Sequence, residues 1–225
     1  MDHAAIKHGG SRRALRTAAA LLLSVAAAWG GAADTPAPRT LVVFGDSLTA
    51  GLGLSDPATQ SYPARIQGKF DAGHLPWRVV NAGLSGETSA GGLRRVDWVL
   101  NQRTDMFLLE LGGNDGLRGI PPSVTEANLQ SIIDRVHSKY PGATIVLAGM
   151  RMPPNMGQDY TEAFAAVFPE LARRNRIALV PFLLEGVAER PDRNQADGIH
   201  PNPTGAAVVA DVVWKVISPL LAAGK

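Results

Sequence analysis

Four short motifs along the chain carry residue types that together can perform acyl transfer. They are GDSLTAG at residues 45–51, SGETS at 85–89, GGNDGL at 112–117 and DGIHP at 197–201. The first motif supplies a serine, and the second and third supply groups that can donate hydrogen bonds to an oxyanion. The fourth supplies a histidine with a carboxylate three residues before it. The set predicts a serine hydrolase.

Ser47 is the candidate nucleophile, and the residues after the first apolar run place it at a strand-to-helix turn. A serine hydroxyl is a weak nucleophile until a base takes its proton. Taken alone, a GDS sequence favours a serine that caps a helix. The three other motifs reverse that preference. We expect the neighbouring Asp46 to be structural and to hold the turn through backbone hydrogen bonds.

His200 is the candidate base. Three histidines lie beyond residue 33, and His74 in a Gly/Pro loop and His137 on a polar helix favour solvated positions. Asp197 stands three residues before His200, so one turn can bring its carboxylate to Nδ1. That contact fixes the tautomer whose Nε2 accepts the serine proton. An Asp three residues before a His is, in isolation, more often a pair on the surface. The catalytic interpretation is favoured here because this motif follows the other three in order.

The candidate oxyanion donors are the backbone N–H groups of Ser47 and Gly86 and the side-chain amide of Asn114. Glycine and asparagine are also common in turns. Without the other motifs, Gly86 and Asn114 could equally be residues that only form a turn.

In the same order, the four motifs resemble the blocks of the SGNH (GDSL) esterase superfamily. The flanking residues resemble its bacterial periplasmic thioesterase, lysophospholipase and arylesterase branch, from about residue 39 to residue 221. The resemblance implies Ser47 as nucleophile, Asp197 and His200 as the other triad members, and Gly86 and Asn114 as oxyanion donors. It also implies small-molecule substrates, namely esters and thioesters of acyl chains.

Apolar runs alternate with helical stretches along the chain. The predicted strands are residues 40–44, 78–81, 106–111, 144–148 and 177–181, and the predicted helices are 62–70, 90–102, 124–140, 161–175 and 204–221. Runs nearly continuous in Val, Ile and Leu are typical of parallel strands covered on both faces. The pattern predicts an α/β fold, a three-layer open parallel sheet with helices on both faces, for which the resemblance implies the flavodoxin-like arrangement. Ser123 and Glu126 form a capping-box signal for the third helix.

Four apolar side chains are candidates for an acyl-binding groove: Leu117, Ile120, Met152 and Met156. They lie in the segments 117–122 and 151–157, which we expect to flank the nucleophile, and methionine adapts to varied apolar ligands. The alternative is that these side chains pack inward as core. Two further alternatives for the whole protein are a non-catalytic protein that binds acyl ligands and a carbohydrate O-acetyl esterase.

The first 33 residues have the layout of a secretory signal peptide. Four basic residues precede an uncharged apolar stretch that is shorter than the roughly 20 residues of a membrane span, and small residues follow it. We therefore expect residues 1–33 to be a leader, 34–38 a linker and 39–225 one catalytic domain, periplasmic or secreted, without a stable membrane anchor after cleavage. The alternative is an uncleaved anchor. An Arg pair also suggests twin-arginine export, although Arg16 stands where an apolar residue is usual.

Composition narrows the remaining classes of function. Removal of residues 1–33 lowers the basic count from 22 to 18 and the acidic count from 20 to 19, which changes the formal charge from +2 to −1. With no basic run interleaved with aromatic residues, no nucleic-acid partner is expected. The chain has no cysteine, which excludes disulfides and thiolate metal sites. The phosphate-loop, dinucleotide, zinc-protease and G-x-S-x-G motifs are missing, so no metal and no cofactor are predicted, and a monomer is expected.

Overall fold

A computed structural model describes residues 37–221, which are built around one five-stranded sheet whose strands all run parallel. The strands are β1 (Arg39–Gly45), β2 (Trp77–Gly83), β3 (Met106–Glu110), β4 (Thr144–Ala148) and β5 (Ala178–Val180). Their order across the sheet is β2-β1-β3-β4-β5. The predicted α/β fold with an open parallel sheet is confirmed, and each strand ends within two residues of its predicted bounds.

The two central strands explain why the sequence reads as continuous apolar runs. In β1, residues 41–44 are fully buried, and every residue of β3 is buried, including its terminal Glu110. A parallel strand covered on both faces has no solvent side, so its apolar residues do not alternate with polar ones. Burying each large apolar side chain of these two strands contributes roughly 1.5–3 kcal/mol to folding.

The helices form a short group of four or five residues and a long group of 11 to 18 residues. They are α1 (Ser47–Ala50), α2 (Pro57–Gln60), α3 (Tyr62–Ala72), α4 (Ser89–Val99), α5 (Gly113–Leu117), α6 (Pro122–Lys139), α7 (Gln158–Asn175) and α8 (Pro203–Leu220). The five long helices match the predicted stretches, whereas α1, α2 and α5 were not predicted.

The predicted capping box of α6 is wrong. The helix begins at Pro122, and its N-cap residue, Pro121, makes no side-chain capping hydrogen bond. Proline suits the first helical position because it lacks an N–H and its φ angle is already helical. Ser123 therefore lies inside the helix, and the Glu126 carboxylate pairs with Arg174 instead.

The helices cover the sheet in two layers. Helices α3 and α8 pack together on one face, and α4, α6 and α7 pack side by side on the other. The chain leaves β1 toward β2 and then crosses back to β3 on the other side of β1. Because such crossovers are right-handed, reversing direction across the sheet moves the connecting helix to the opposite face. The carboxyl end of β1 is thus the switch point, where open α/β sheets form their sites.

Two predictions about the N-terminal end of the chain concern residues that the structure does not describe. The predicted leader, residues 1–33, and residues 34–36 of the predicted linker are not among the described residues. Within residues 37–221, no helix has both the length and the apolar character needed to cross a membrane.

Candidate active site

The turn after β1 presents Ser47 at the switch point. Asp46 caps α1, because its Oδ1 accepts a hydrogen bond from the Leu48 N–H at 3.0 Å. Ser47 is the first helical residue rather than the cap, which removes the capping interpretation of this serine. Gly45 has to be glycine, since a Cβ there would lie 2.2 Å from Thr49 Oγ1. Asp46 holds the turn as predicted, and a side chain from the third motif also contacts it.

His200 contacts the Ser47 hydroxyl although the two residues are 153 positions apart in the sequence. Its Nε2 lies 2.9 Å from Ser47 Oγ, and its Nδ1 lies 2.7 Å from Asp197 Oδ2. Serine, imidazole and carboxylate therefore form one continuous hydrogen-bond chain. This is the arrangement in which an imidazole accepts the proton of a serine while a carboxylate orients the ring.

Asp197 is held in its ionised form by the loop that carries it. Its Oδ1 accepts the backbone N–H groups of Ile199 at 2.9 Å and of His200 at 3.0 Å. The His200 N–H, then the His200 side chain and the Ile199 N–H, lower the pKa of Asp197 from 3.8 to about 2. The Gln195 N–H donates to the His200 carbonyl at 2.8 Å and ties the loop beside the histidine.

Gly86 lies in the loop between β2 and α4 with a positive φ of 79°. A Cβ at this position would meet no atom within 4 Å, so the residue borders open space. Arg118 Nη2 donates a hydrogen bond to the Gly86 carbonyl at 3.1 Å. Both the backbone conformation and the open space suit a glycine whose N–H is to face a ligand.

Asn114, in α5, joins the first and second motifs. Its Nδ2 donates to Asp46 Oδ2 at 3.1 Å and to the Glu87 carbonyl at 3.0 Å, so it lies between the residues that neighbour Ser47 and Gly86. These two contacts engage both amide hydrogens. Asn114 can donate to an oxyanion only when one of these hydrogen bonds is shared or released.

Arg95, which the sequence analysis did not identify, fixes the loop of the second motif. Its guanidinium pairs with the buried Glu87, donates to the carbonyls of Ala82 at 2.9 Å and Gly45 at 3.3 Å, and stacks 4.3 Å from the centre of the Phe44 ring. One side chain thereby binds the ends of β1 and β2 to the loop that carries Gly86.

Asp115 is a second positioning residue that was missed. It is fully buried, and its carboxylate accepts the Ser89 N–H at 2.7 Å, the Ser89 hydroxyl and the Thr125 hydroxyl. The contacts with Ser89 connect the third motif to the last residue of the second motif, where α4 begins. Asp115 stands inside the third motif and Arg95 stands in α4, after the second motif, but nothing in their spacing indicates which partners they contact.

The four side chains predicted to bind acyl groups differ in exposure. Leu117 is 46% exposed, whereas Ile120, Met152 and Met156 are partly buried. The Met152 thioether lies so close to Gly116 that a methyl group there would overlap it, and the Ile120 carbonyl accepts a hydrogen bond from Tyr160 at 2.8 Å. A small cavity of about 10 Å³ beside Ser47 and His200 is lined by neither methionine nor by Leu117 or Ile120.

Comparison with known proteins places this chain in a family. Residues 43–208 match the GDSL-like lipase/acylhydrolase family. The chain belongs to this family. The predicted relationship to SGNH (GDSL) hydrolases is confirmed, and the protein is a hydrolase of that type.

Two relatives and one solved structure illustrate how much of the chain is shared. Esterase TesA of Pseudomonas aeruginosa is 41% identical over 203 residues, covering 90% of this chain and 99% of that protein. Thioesterase 1/protease 1/lysophospholipase L1 of Escherichia coli K12 is 41% identical over 186 residues, covering 82% of this chain and 86% of that protein. The crystal structure of TesA superposes with a TM-score of 0.76 at 42% identity, covering 81% of this chain and 99% of that one.

Proposed function

We propose that this protein is an exported serine esterase that hydrolyses esters and thioesters of acyl chains. In this proposal Ser47 is the nucleophile, His200 the general base and Asp197 the residue that orients the imidazole. The observation that carries the proposal is the hydrogen-bond chain from Ser47 through His200 to Asp197, with contacts of 2.9 and 2.7 Å. The first contact is within the distance over which a base takes a proton from a nucleophile, and the second is a hydrogen bond through which a carboxylate can orient the base.

The first half-reaction forms an acyl-enzyme. Ser47 Oγ attacks the substrate carbonyl while its proton passes to His200 Nε2. The tetrahedral intermediate then collapses, the bond to the alcohol or thiol breaks, and His200 returns the proton to the leaving group. Asp197 stays ionised throughout, because its pKa of about 2 is far below neutral pH.

The second half-reaction repeats the proton transfers with water. His200 takes a proton from a water molecule that attacks the acyl carbonyl, and the proton then passes to Ser47 Oγ as the acid leaves. In both halves the negative charge on the carbonyl oxygen is stabilised by the N–H groups of Ser47 and Gly86 and by the amide of Asn114.

The acyl chain of the substrate is proposed to lie along Leu117, Ile120, Met152 and Met156. The exposure of Leu117 and the partial exposure of the other three side chains support this proposal, because a groove must offer apolar surface before the ligand arrives. The names of the two relatives above, an esterase and a thioesterase/lysophospholipase, agree with acyl substrates.

Export is the remaining part of the proposal. The basic start, short apolar stretch and small residues of the first 33 residues support cleavage near Asp34 and a periplasmic or secreted enzyme without a stable membrane anchor. We propose that this enzyme is a monomer.

The test is hydrolysis of p-nitrophenyl esters by the purified protein and its Ser47→Ala variant. We expect the variant to lose at least about 10³-fold in kcat while its unfolding transition stays unchanged. Ser123→Ala, a change at an exposed serine on α6, is the matched control and should retain full activity. Full activity of Ser47→Ala would contradict the proposal. Acyl-ligand binding without turnover by the unaltered protein would favour the non-catalytic alternative, and a preference for acetylated sugars would favour the O-acetyl esterase.

A further inference from the structure

A buried polar cluster lies beside the Ser47 turn, and the proposed triad does not use it. Glu110, at the end of β3, is 0% exposed and pairs in register with Gly45. Its Oε2 accepts the Asp46 N–H at 3.2 Å and the Thr49 hydroxyl at 2.6 Å. Thr49 Oγ1 in turn lies 2.6 Å from the buried Tyr62 hydroxyl.

Every donor to the Glu110 carboxyl is electrically neutral. Among the described residues, no Lys, Arg or His forms an ion pair with Glu110, and its buried Oε1 has no hydrogen-bond partner. Arg95 reaches the Gly45 carbonyl nearby, but its guanidinium is paired with Glu87. A buried carboxylate with no cation and one unpartnered oxygen is very costly, and adding a proton removes most of that cost.

We propose that Glu110 is a positioning residue, held as a neutral acid, whose carboxyl fixes the turn that aims Ser47 at His200. The proposal rests on the role of Ser47 as nucleophile. Glu110 holds this turn at two points, through the backbone N–H that precedes Ser47 and through the Thr49 side chain two residues after it. Since a displacement of about 1 Å costs roughly 10²-fold in rate, such a brace matters to catalysis without touching substrate.

The neighbouring titratable groups agree with a single negative charge in the cluster. Burial, followed by the charge of Asp46, raises the pKa of Glu110 well above its usual range. Burial raises the pKa of Asp46 to about 6, which the Leu48 N–H, the Asn114 amide and His200 oppose and Glu87 reinforces. Burial also raises the pKa of the Tyr62 phenol, which stays neutral. At neutral pH the charge therefore resides on Asp46, whose carboxylate accepts hydrogen bonds from the Leu48 N–H and the Asn114 amide, and Glu110 keeps its proton.

Two substitutions distinguish a role of Glu110 as a neutral hydrogen-bond acceptor from a role that requires its negative charge. Glu110→Gln keeps a neutral group with a carbonyl oxygen for Asp46 and Thr49, so kcat should stay within about threefold of the unaltered enzyme. Glu110→Leu removes the acceptor, so kcat should fall by roughly 10²-fold with KM little changed. Equal losses in both variants would overturn the proposal, because they would show that catalysis needs the charged form.

The second measurement follows folding and does not depend on activity. A carboxyl with a raised pKa in the folded state binds more protons there than in the unfolded chain. Its contribution to the free energy of unfolding therefore falls as pH rises from the usual Glu value toward the raised one. Between pH 6.5 and 8.5, the urea midpoint of the unaltered protein should fall relative to that of Glu110→Gln. Glu162→Gln, which removes an exposed carboxylate on α7, should run parallel to the unaltered protein. Parallel curves for Glu110→Gln would overturn the proposal while leaving the role of Ser47 intact.

Discussion

At the scale of single residues, the proposed base depends on a carboxylate that stays ionised while the imidazole next to it gains a proton. Asp197 meets that condition through two backbone N–H groups of its own loop, which hold its pKa at about 2 although the side chain is 44% exposed. The lowered pKa of Asp197 also determines how its contribution to stability changes with pH. The contribution of Asp197 to stability is present above its ordinary value of 3.8 and is lost as pH falls toward 2.

Asp197→Asn should lower kcat by about 10³- to 10⁴-fold with little change in KM, because the amide favours the wrong imidazole tautomer. The loss is read from p-nitrophenyl ester kinetics. Asp192→Asn, an equal change of charge at an exposed loop position, is the control and should leave kcat unaltered. Similar losses in both variants would attribute the effect to the general charge of the loop.

Asn114→Ala should lower kcat by roughly 10²- to 10³-fold and leave KM nearly constant, since an oxyanion donor acts mainly in the transition state. Steady-state kinetics on one ester give both constants. Asn101→Ala, at an exposed site, serves as the control. A change confined to KM would make Asn114 a group that binds the ground state.

The sequence identified the residues that could react but not those that support them. Ser47, Asp197 and His200 stand in short motifs whose order carries information, and the structure brings them into one hydrogen-bond chain. Glu110 had a detectable signal, because it is the one charged residue in an otherwise apolar strand. Arg95 had none, since its contacts form only when two strand ends and a loop meet.

At the scale of elements, the apolar runs were sufficient to predict five strands and five long helices. Helices α1, α2 and α5 have four or five residues each, which is too short for a helical period to show in the sequence. Two of them carry proposed site residues, Ser47 in α1 and Asn114 in α5. The positions of the motifs at strand ends were predictable, but the reversal of the sheet at β1 that brings them together was not.

The loop after α5 carries the prediction about chain length. We expect Leu117 and Ile120 to line an acyl groove with Met152 and Met156. Each added CH₂ should then lower the activation free energy for kcat/KM by up to about 0.8 kcal/mol until the groove is filled. Activity on p-nitrophenyl esters should rise from acetyl toward medium chains, and Ile120→Ala should flatten the rise while sparing the acetyl ester.

The control for the groove is Trp98→Ala, which removes a 75% exposed apolar side chain near the end of α4. It should leave the dependence on chain length unchanged. Equal losses on acetyl and octanoyl esters in Ile120→Ala or Met152→Ala would assign these side chains to the core.

At the scale of the whole molecule, the electrostatic character depends on whether the first 33 residues remain. With them the formal charge is +2, and without them it is −1, so the basic character of the full chain belongs largely to the predicted leader. The chain has no cysteine, so disulfides do not stabilise it in an oxidising compartment.

The mature N-terminus should fall near Asp34, directly after small residues of the kind that precede leader cleavage. N-terminal sequencing of the protein recovered from the periplasm or medium measures this. A protein that retains Met1 in those fractions would contradict the leader, whereas a protein found only in the membrane fraction with Met1 retained would support the uncleaved anchor.

The central claim is that His200 activates Ser47 as a nucleophile, and covalent labelling tests it most directly. A p-nitrophenyl alkylphosphonate transfers its phosphonyl group to an activated serine and releases p-nitrophenol, so each labelled molecule gains a mass that peptide mapping can locate. We predict one adduct per chain, on Ser47, formed in step with loss of esterase activity, absent from Ser47→Ala and strongly slowed in His200→Ala. An adduct on another residue, or complete inactivation with Ser47 unmodified, would contradict the account.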